Sequence, residues 1–64
     1  MTNLRRLREE RGLSRSQLAE ASGVSVRMIE QYELGIRSIN GSAALTVYKL
    51  AQALGCTVED LLEE

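Results

Sequence analysis

The stretch that decides the fold is Arg15–Gly35, which reads RSQLAEASGVSVRMIEQYELG. Its capping signals predict two short helices joined by a tight turn. Ser14, followed three residues later by a glutamine, has the capping-box pattern that begins the first helix. Gly23 ends that helix, because glycine readily adopts the left-handed conformation found there. Ser25 then caps the second helix, which runs to the end of the stretch.

So short a connection forces the two helices to cross steeply, and the joint therefore needs a small side chain, which Ala19 supplies. The apolar residues that we expect the two helices to share as a core are Leu18, Val24, Ile29 and Tyr32. This is the helix-turn-helix pattern, whose second helix enters the DNA major groove. The apolar positions alone would also suit a helical hairpin with no role on DNA. The spacing of Ala19, Gly23 and Ile29 favours the helix-turn-helix.

The composition fits one small domain over residues 1–64. The chain has no Trp, Phe or Pro, so its core must be built from Leu, Ile, Val, Ala and Tyr. Cys56 stands alone and cannot form an internal disulfide, which is compatible with a reducing compartment. No apolar run approaches the roughly 20 residues of a membrane helix, and no signal-peptide pattern is present. We therefore expect a cytoplasmic protein with no membrane partner.

Charge is distributed unevenly along the chain. The net charge is −1, which argues against a strongly basic nucleic-acid binder. However, residues 1–37 carry seven arginines against five glutamates, a net +2. Residues 38–64 carry one lysine against four acidic residues, a net −3. The positive part includes the predicted helix-turn-helix, so the asymmetry favours DNA as the partner, with weak non-specific binding.

Cap and stop signals in the rest of the chain predict three more helices, so the fold is predicted to be all-α with no strand. Helices are predicted near residues 3–11, 15–22, 26–34, 41–54 and 58–63. Asn40 is expected to cap the fourth helix, and Thr57, with Asp60 three residues later, the fifth. The fourth helix has an inward stripe at i, i+3, i+7 and i+10, bordered by Leu50: Ala44, Val47, Ala51 and Leu54.

With five helices placed, the chain resembles the XRE family of phage Cro- and repressor-type helix-turn-helix domains. The segments that carry the resemblance are LRRLREERGLS (4–14), QLAEASGVS (17–25), IEQYELG (29–35) and LAQALGCTVEDLL (50–62). They extend over nearly the whole chain. The resemblance implies a compact five-helix, lambda-repressor-like bundle with a helix-turn-helix.

The candidates for contacts with DNA bases lie on the solvent-facing side of the second helix of the helix-turn-helix. Because Ile29 and Tyr32 face inward, Val26, Arg27 and Gln31 face outward. Arginine can pair bidentately with guanine O6 and N7, glutamine with adenine N6 and N7, and a valine can touch a thymine methyl. The matching positions face the bases in the XRE family.

Phosphate contacts are expected at helix N-termini, where free N–H groups and the helix dipole favour an anion, and from an arginine in the loop after the second helix of the motif. The predicted residues are Ser14, Arg15, Ser16, Ser25 and Arg37. The family usually has a phosphate-contacting glutamine where Arg15 stands. The family also pairs the residue matching Glu33 with an arginine of the first helix, here Arg8, which implies a structural ion pair. Glu30 would either accept from cytosine or reject wrong sequences.

Catalysis is not expected. The chain has no histidine and one cysteine, and the helical register brings no carboxylate pair together in a pocket. The same shortage of ligands argues against a metal site or a cofactor.

We therefore predict a sequence-specific DNA-binding transcriptional regulator, a repressor, acting as a homodimer on a palindromic double-stranded operator. The alternative is a protein-binding module with the same fold, such as a toxin-neutralising antitoxin or a small adaptor. That alternative is suggested by apolar residues beyond the needs of the inner stripe: Leu34, Ile36, Ile39, Leu45 and Tyr48.

Overall fold

The computed structural model describes residues 1–63, and in that range the chain forms five helices and no strand. The helices are α1 (Asn3–Glu10), α2 (Arg15–Ser22), α3 (Val26–Glu33), α4 (Ala44–Leu54) and α5 (Val58–Leu61). The predicted all-α class is confirmed, and the boundaries of the first three helices agree to within one residue.

Four of the five helices begin with a side-chain cap. Ser14 and Thr57 form capping boxes, each with the residue three positions later, and Ser25 Oγ accepts the backbone N–H of Met28 at 3.1 Å. These three caps were predicted. Thr2 adds a fourth, because its Oγ1 accepts the backbone N–H at the third position of α1.

The start of α4 differs from the prediction. The helix begins at Ala44 after an N-cap residue, Ala43, that provides no side-chain hydrogen bond. Asn40 is not its cap, because the Asn40 amide is bonded elsewhere: it donates to the carbonyl of Glu63 and accepts the Glu63 N–H at 2.8 Å. Ala44 is exposed, so its place in the inward stripe was also wrong.

One apolar core joins all five helices. α2 packs against α3 and α4, α4 against α5, and α1 against α3 and α5. The buried apolar residues are Leu4, Leu7, Leu18, Val24, Ile29, Tyr32, Ile39, Val47, Leu50, Ala51, Leu54 and Leu61. Leu50 is fully buried within this core rather than at the border of the stripe.

The turn between α2 and α3 depends on Gly23. Its φ is +77°, in the left-handed region, and its N–H donates to the carbonyl of Ala19 at 2.9 Å. Nothing lies within 4 Å of where a Cβ would be, so the requirement for glycine here is conformational rather than steric. The turn reverses the chain so that α3 packs across α2, and one face of α3 remains in solvent.

The beginning of α1 meets the residues that follow α5. The Asn3 backbone N–H donates to Glu63 Oε1 at 2.8 Å, and the Asn3 amide donates to the carbonyl of Leu62 at 2.8 Å. Arg11, just after α1, donates from Nε to the carbonyl of Leu54 at 2.9 Å, which ties the ends of α1 and α4. None of the helices in residues 1–63 has the length and apolarity needed to cross a membrane.

Candidate nucleic-acid interface

The two faces of α3 have different environments. One face is buried and consists of Ile29, Tyr32 and the side chain of Glu33. On the other face, Val26 and Arg27 are exposed at the first turn, and the structure gives Arg27 no ion pair or side-chain hydrogen bond within residues 1–63. Arg27 is therefore available to a ligand that approaches this face.

Gln31 is half-buried, not fully exposed as the helical register predicts, because the chain beyond α3 folds back beside it. Gly35, at φ +76°, lets the backbone turn so that the N–H groups of Ile36 and Gly35 bond to the carbonyls of Gln31 and Tyr32. The Arg37 side chain then donates from Nε to Gln31 Oε1 at 3.1 Å. Arg37, which the sequence predicts to contact a phosphate, is thus hydrogen-bonded to Gln31, which it predicts to contact a base.

The buried carboxylate of Glu33 is held by two arginines. Arg8 donates from Nε to Glu33 Oε2 at 2.7 Å and from Nη2 to Oε1 at 3.1 Å, and its Nη1 donates to the carbonyl of Leu13 at 2.8 Å. Arg15 donates from Nε to Glu33 Oε1 at 3.0 Å. The cluster Arg8–Glu33–Arg15 therefore joins α1, α2 and α3 and fixes α3 to the other two helices.

The electrostatics of this cluster favour the charged forms. Burial by itself would raise the pKa of Glu33, but the hydrogen bonds and positive charges of Arg8 and Arg15 outweigh it and hold that pKa below its ordinary value. The hydrogen bond to Glu33 raises the pKa of Arg8. Both groups are consequently ionised at neutral pH.

Arg15 is not the unpaired, exposed side chain that its position in the sequence suggests. Besides its bond to Glu33, its Nη1 lies 3.6 Å from Glu30 Oε2, and the side chain is half-buried. Glu30 is accordingly turned toward α2. Arg15 therefore has a structural role that the sequence did not predict.

The predicted phosphate-binding serines lie at the N-termini of α2 and α3. The Ser14 hydroxyl accepts the backbone N–H of Gln17 at 3.0 Å, and the backbone N–H of Ser14 donates to Gln17 Oε1 at 2.8 Å. Ser16 is exposed in the first turn of α2, and Ser25 is exposed at the start of α3. The two capping hydroxyls retain their proton as a donor, because the cap uses only an oxygen lone pair.

The helix-turn-helix family model matches residues 4–61 of this chain. The chain belongs to the helix-turn-helix family. The predicted resemblance and the predicted fold class are both confirmed by this match together with the five-helix structure.

Three curated relatives match this helix-turn-helix domain. It is 48% identical over 59 residues to the HTH-type transcriptional repressor RghR of Bacillus subtilis (strain 168), covering 92% of the chain and 42% of that protein. It is 43% identical over 53 residues to the HTH-type transcriptional regulator SutR of Escherichia coli (strain K12), covering 83% of the chain and 28% of that protein. It is 36% identical over 61 residues to the uncharacterized HTH-type transcriptional regulator y4dJ of Sinorhizobium fredii (strain NBRC 101917 / NGR234), covering 95% of the chain and 75% of that protein.

The chain thus spans less than half the length of the first two relatives. No solved structure matches the chain. The three relatives are named transcriptional repressors or regulators.

A hydrogen-bonded chain behind α3 holds the loop of this helix-turn-helix domain, and the sequence reasoning missed it. The Tyr32 hydroxyl donates to Ser42 Oγ at 2.7 Å, and Ser42 Oγ donates to the carbonyl of Ser38 at 2.8 Å. A signal for it exists, because the hydroxyl of a buried tyrosine almost always requires a polar partner. The link fixes the segment that carries Arg37 to α3.

Proposed function

We propose that this chain is a sequence-specific DNA-binding transcriptional regulator that acts as a repressor and reads the major groove with α3. The observation that carries the proposal is the contrast between the faces of α3. One face is packed in the core through Ile29 and the paired Glu33, whereas the other carries the exposed Val26 and Arg27 and the half-buried Gln31. Because α3 is anchored in this way, it can enter the DNA major groove and keep its position in the domain.

Residues around α3 would position the domain on the DNA backbone. The proposed phosphate contacts are Ser14, Arg15, Ser16, Ser25 and Arg37. Backbone contacts set register and orientation, and base contacts set sequence preference. In this role residues 1–64 act as one cytoplasmic binding unit, and nothing in the role requires a catalytic step, a metal or a cofactor.

Replacing Arg27 with alanine should weaken binding to the preferred duplex by about 1–3 kcal/mol and relax the preference at one base pair, because a bidentate base contact is lost. The test is to select bound sequences from a random DNA pool and then measure affinities for matched and mismatched duplexes. The matched control is Arg6→Ala, which removes the same charge from the outer face of α1. If the two variants show the same affinity and the same preference, α3 does not read sequence through Arg27.

The protein is expected to bind its DNA site as a dimer. One such module covers only roughly 600–1,000 Å² of protein surface on DNA, so a specific site requires two. We therefore expect a symmetric homodimer on a palindromic site with half-sites about 10 base pairs apart, or a multiple of that. The proposed contacts between protomers come from α5 and the end of α4. Sedimentation of the complex with the best selected duplex should give two protomers, and a single protomer would contradict the dimer.

Exposed apolar residues on α4 favour a second candidate function, that of a protein-binding module such as an antitoxin or adaptor. Leu45 is 63% exposed and Tyr48 is 53% exposed, one helical turn apart. If the selection from random DNA yields no preferred sequence while a partner protein binds and is released by Leu45→Ala, this second function replaces the first.

A further inference from the structure

The orientation of the Gln31 amide is set by Arg37. The Arg37 N–H donates to the carbonyl of Gln31 at 3.2 Å, and the guanidinium Nε donates to Gln31 Oε1 at 3.1 Å. The backbone turn at Gly35 brings the two residues together, so the side-chain contact is supported by the fold of the loop as well as by its own hydrogen bond. The Tyr32–Ser42–Ser38 hydrogen bonds hold the same loop from behind.

An arginine side chain can only donate hydrogen bonds, and a glutamine amide has one accepting and one donating end. The end of Gln31 that faces Arg37 must therefore be its oxygen. The Nε2 group, with two donors, is the end that remains for a ligand. Arg37 also partly satisfies the amide oxygen, which makes that oxygen a poorer acceptor for a second donor.

This polarity discriminates between purines. To read adenine bidentately, a glutamine must accept from N6 with its oxygen and donate to N7 with its nitrogen. Guanine instead presents two acceptors, O6 and N7, in the major groove. A glutamine whose nitrogen faces the groove and whose oxygen already accepts from Arg37 is complementary to guanine and offers the adenine N6 donor only a partly satisfied acceptor.

We infer that Arg37 is a positioning residue that determines specificity: it holds the Gln31 amide in the donating orientation, so that Gln31 prefers guanine over adenine. This inference rests on the proposed function, since it requires α3 to enter the major groove. It replaces the adenine pairing expected from the residue type of Gln31 alone. It also gives Arg37 a role distinct from a phosphate contact, which would act on every DNA sequence equally.

The test begins with the preferred duplex selected by the wild-type protein from a random pool. The base pair read by Gln31 is the one at which Gln31→Ala loses its discrimination. At that base pair the wild-type protein should prefer guanine to adenine by about tenfold or more, as expected for a good bidentate contact. In Arg37→Ala the amide can rotate, and the guanine preference should fall to about twofold or reverse toward adenine.

Two controls separate positioning from phosphate binding. Arg6→Ala removes the same charge from the exposed face of α1 and should leave the guanine preference unchanged. In the Gln31→Ala background, adding Arg37→Ala should no longer alter the preference at that base pair, because the residue that it orients is absent. Thermal unfolding of each variant checks that the domain is folded in the assay.

The alternative outcomes are distinct. An equal loss of affinity on all duplexes in Arg37→Ala, with a reduced salt dependence and an unchanged preference, overturns the inference and makes Arg37 a phosphate contact only. Adenine as the preferred base at the Gln31 position of the wild-type protein also overturns it, while leaving the proposed function intact. If the wild-type protein selects no sequence at all, the proposed function fails and the inference fails with it.

Discussion

Replacing Arg8 with alanine is expected to lower the free energy of unfolding by about 3 kcal/mol, because it removes one partner of a buried ion pair. The Glu33 side chain has no solvent exposure and receives two hydrogen bonds from Arg8. Arg15 alone cannot compensate for these, and the carbonyl of Leu13 also loses its donor. The total stability of a 64-residue domain is roughly 3–10 kcal/mol, so the loss would be a large fraction of it. Chemical denaturation of wild type and variant measures the difference.

The control is Arg6→Ala, whose exposed ion pair with Glu10 is worth only about 0.5 kcal/mol. At acid pH the difference in free energy of unfolding between the wild-type protein and Arg8→Ala should become smaller. The pKa of Glu33 is lowered by folding, so its contribution is complete above the unfolded pKa of about 4.3 and is lost as pH falls through the lower folded value. Equal stabilities of Arg8→Ala and Arg6→Ala at neutral pH would rule out a stabilising role for the cluster.

Replacing Leu18 with alanine should cost about 2–5 kcal/mol, since the change removes apolar atoms and leaves a cavity. Among the described residues of α2, only Leu18 is buried, and its exposed fraction is 0%. The helix relies on this residue at the point where it packs against α3 and α4. The measurement is again the midpoint and slope of denaturant unfolding.

Leu45→Ala is the matched control, because it removes the same atoms from a side chain that is largely exposed. Its effect should stay within about 0.5 kcal/mol. A similar loss for the two leucines would mean that the core does not depend on the side chain at the crossing of α2 with its neighbours.

Local signals in the sequence predicted most of the fold. The caps at Ser14, Ser25 and Thr57 act on N–H groups three residues away, so the residue pattern alone reveals them. The start of α4 could not be found in this way. Asn40 has the right residue type for a cap, but it bonds with Glu63, 23 residues away, and that choice depends on the packing of α5.

The candidate site was only partly predictable for the same reason. Helical periodicity separates the buried face of α3 from its exposed face, and it brought out Arg27 and Gln31 as candidates. The bond between Arg15 and Glu33 depends on the crossing of α2 over α3. The bond between Arg37 and Gln31 depends on the return of the loop after Gly35. Periodicity within one helix carries no information on either contact.

The junction of Asn3, Asn40 and Glu63 couples the local opening of both ends of the bundle. Isolated helix ends fray independently, each with a small opening free energy. Here the backbone N–H of Asn3 donates to the Glu63 carboxylate, and the backbone N–H of Glu63 donates to the side-chain oxygen of Asn40. We therefore expect fraying of the first turn of α1 to release Glu63 and, through Asn40, to loosen the loop that carries Arg37. An opening at the start of α1 is thereby expected to reach the loop beside α3.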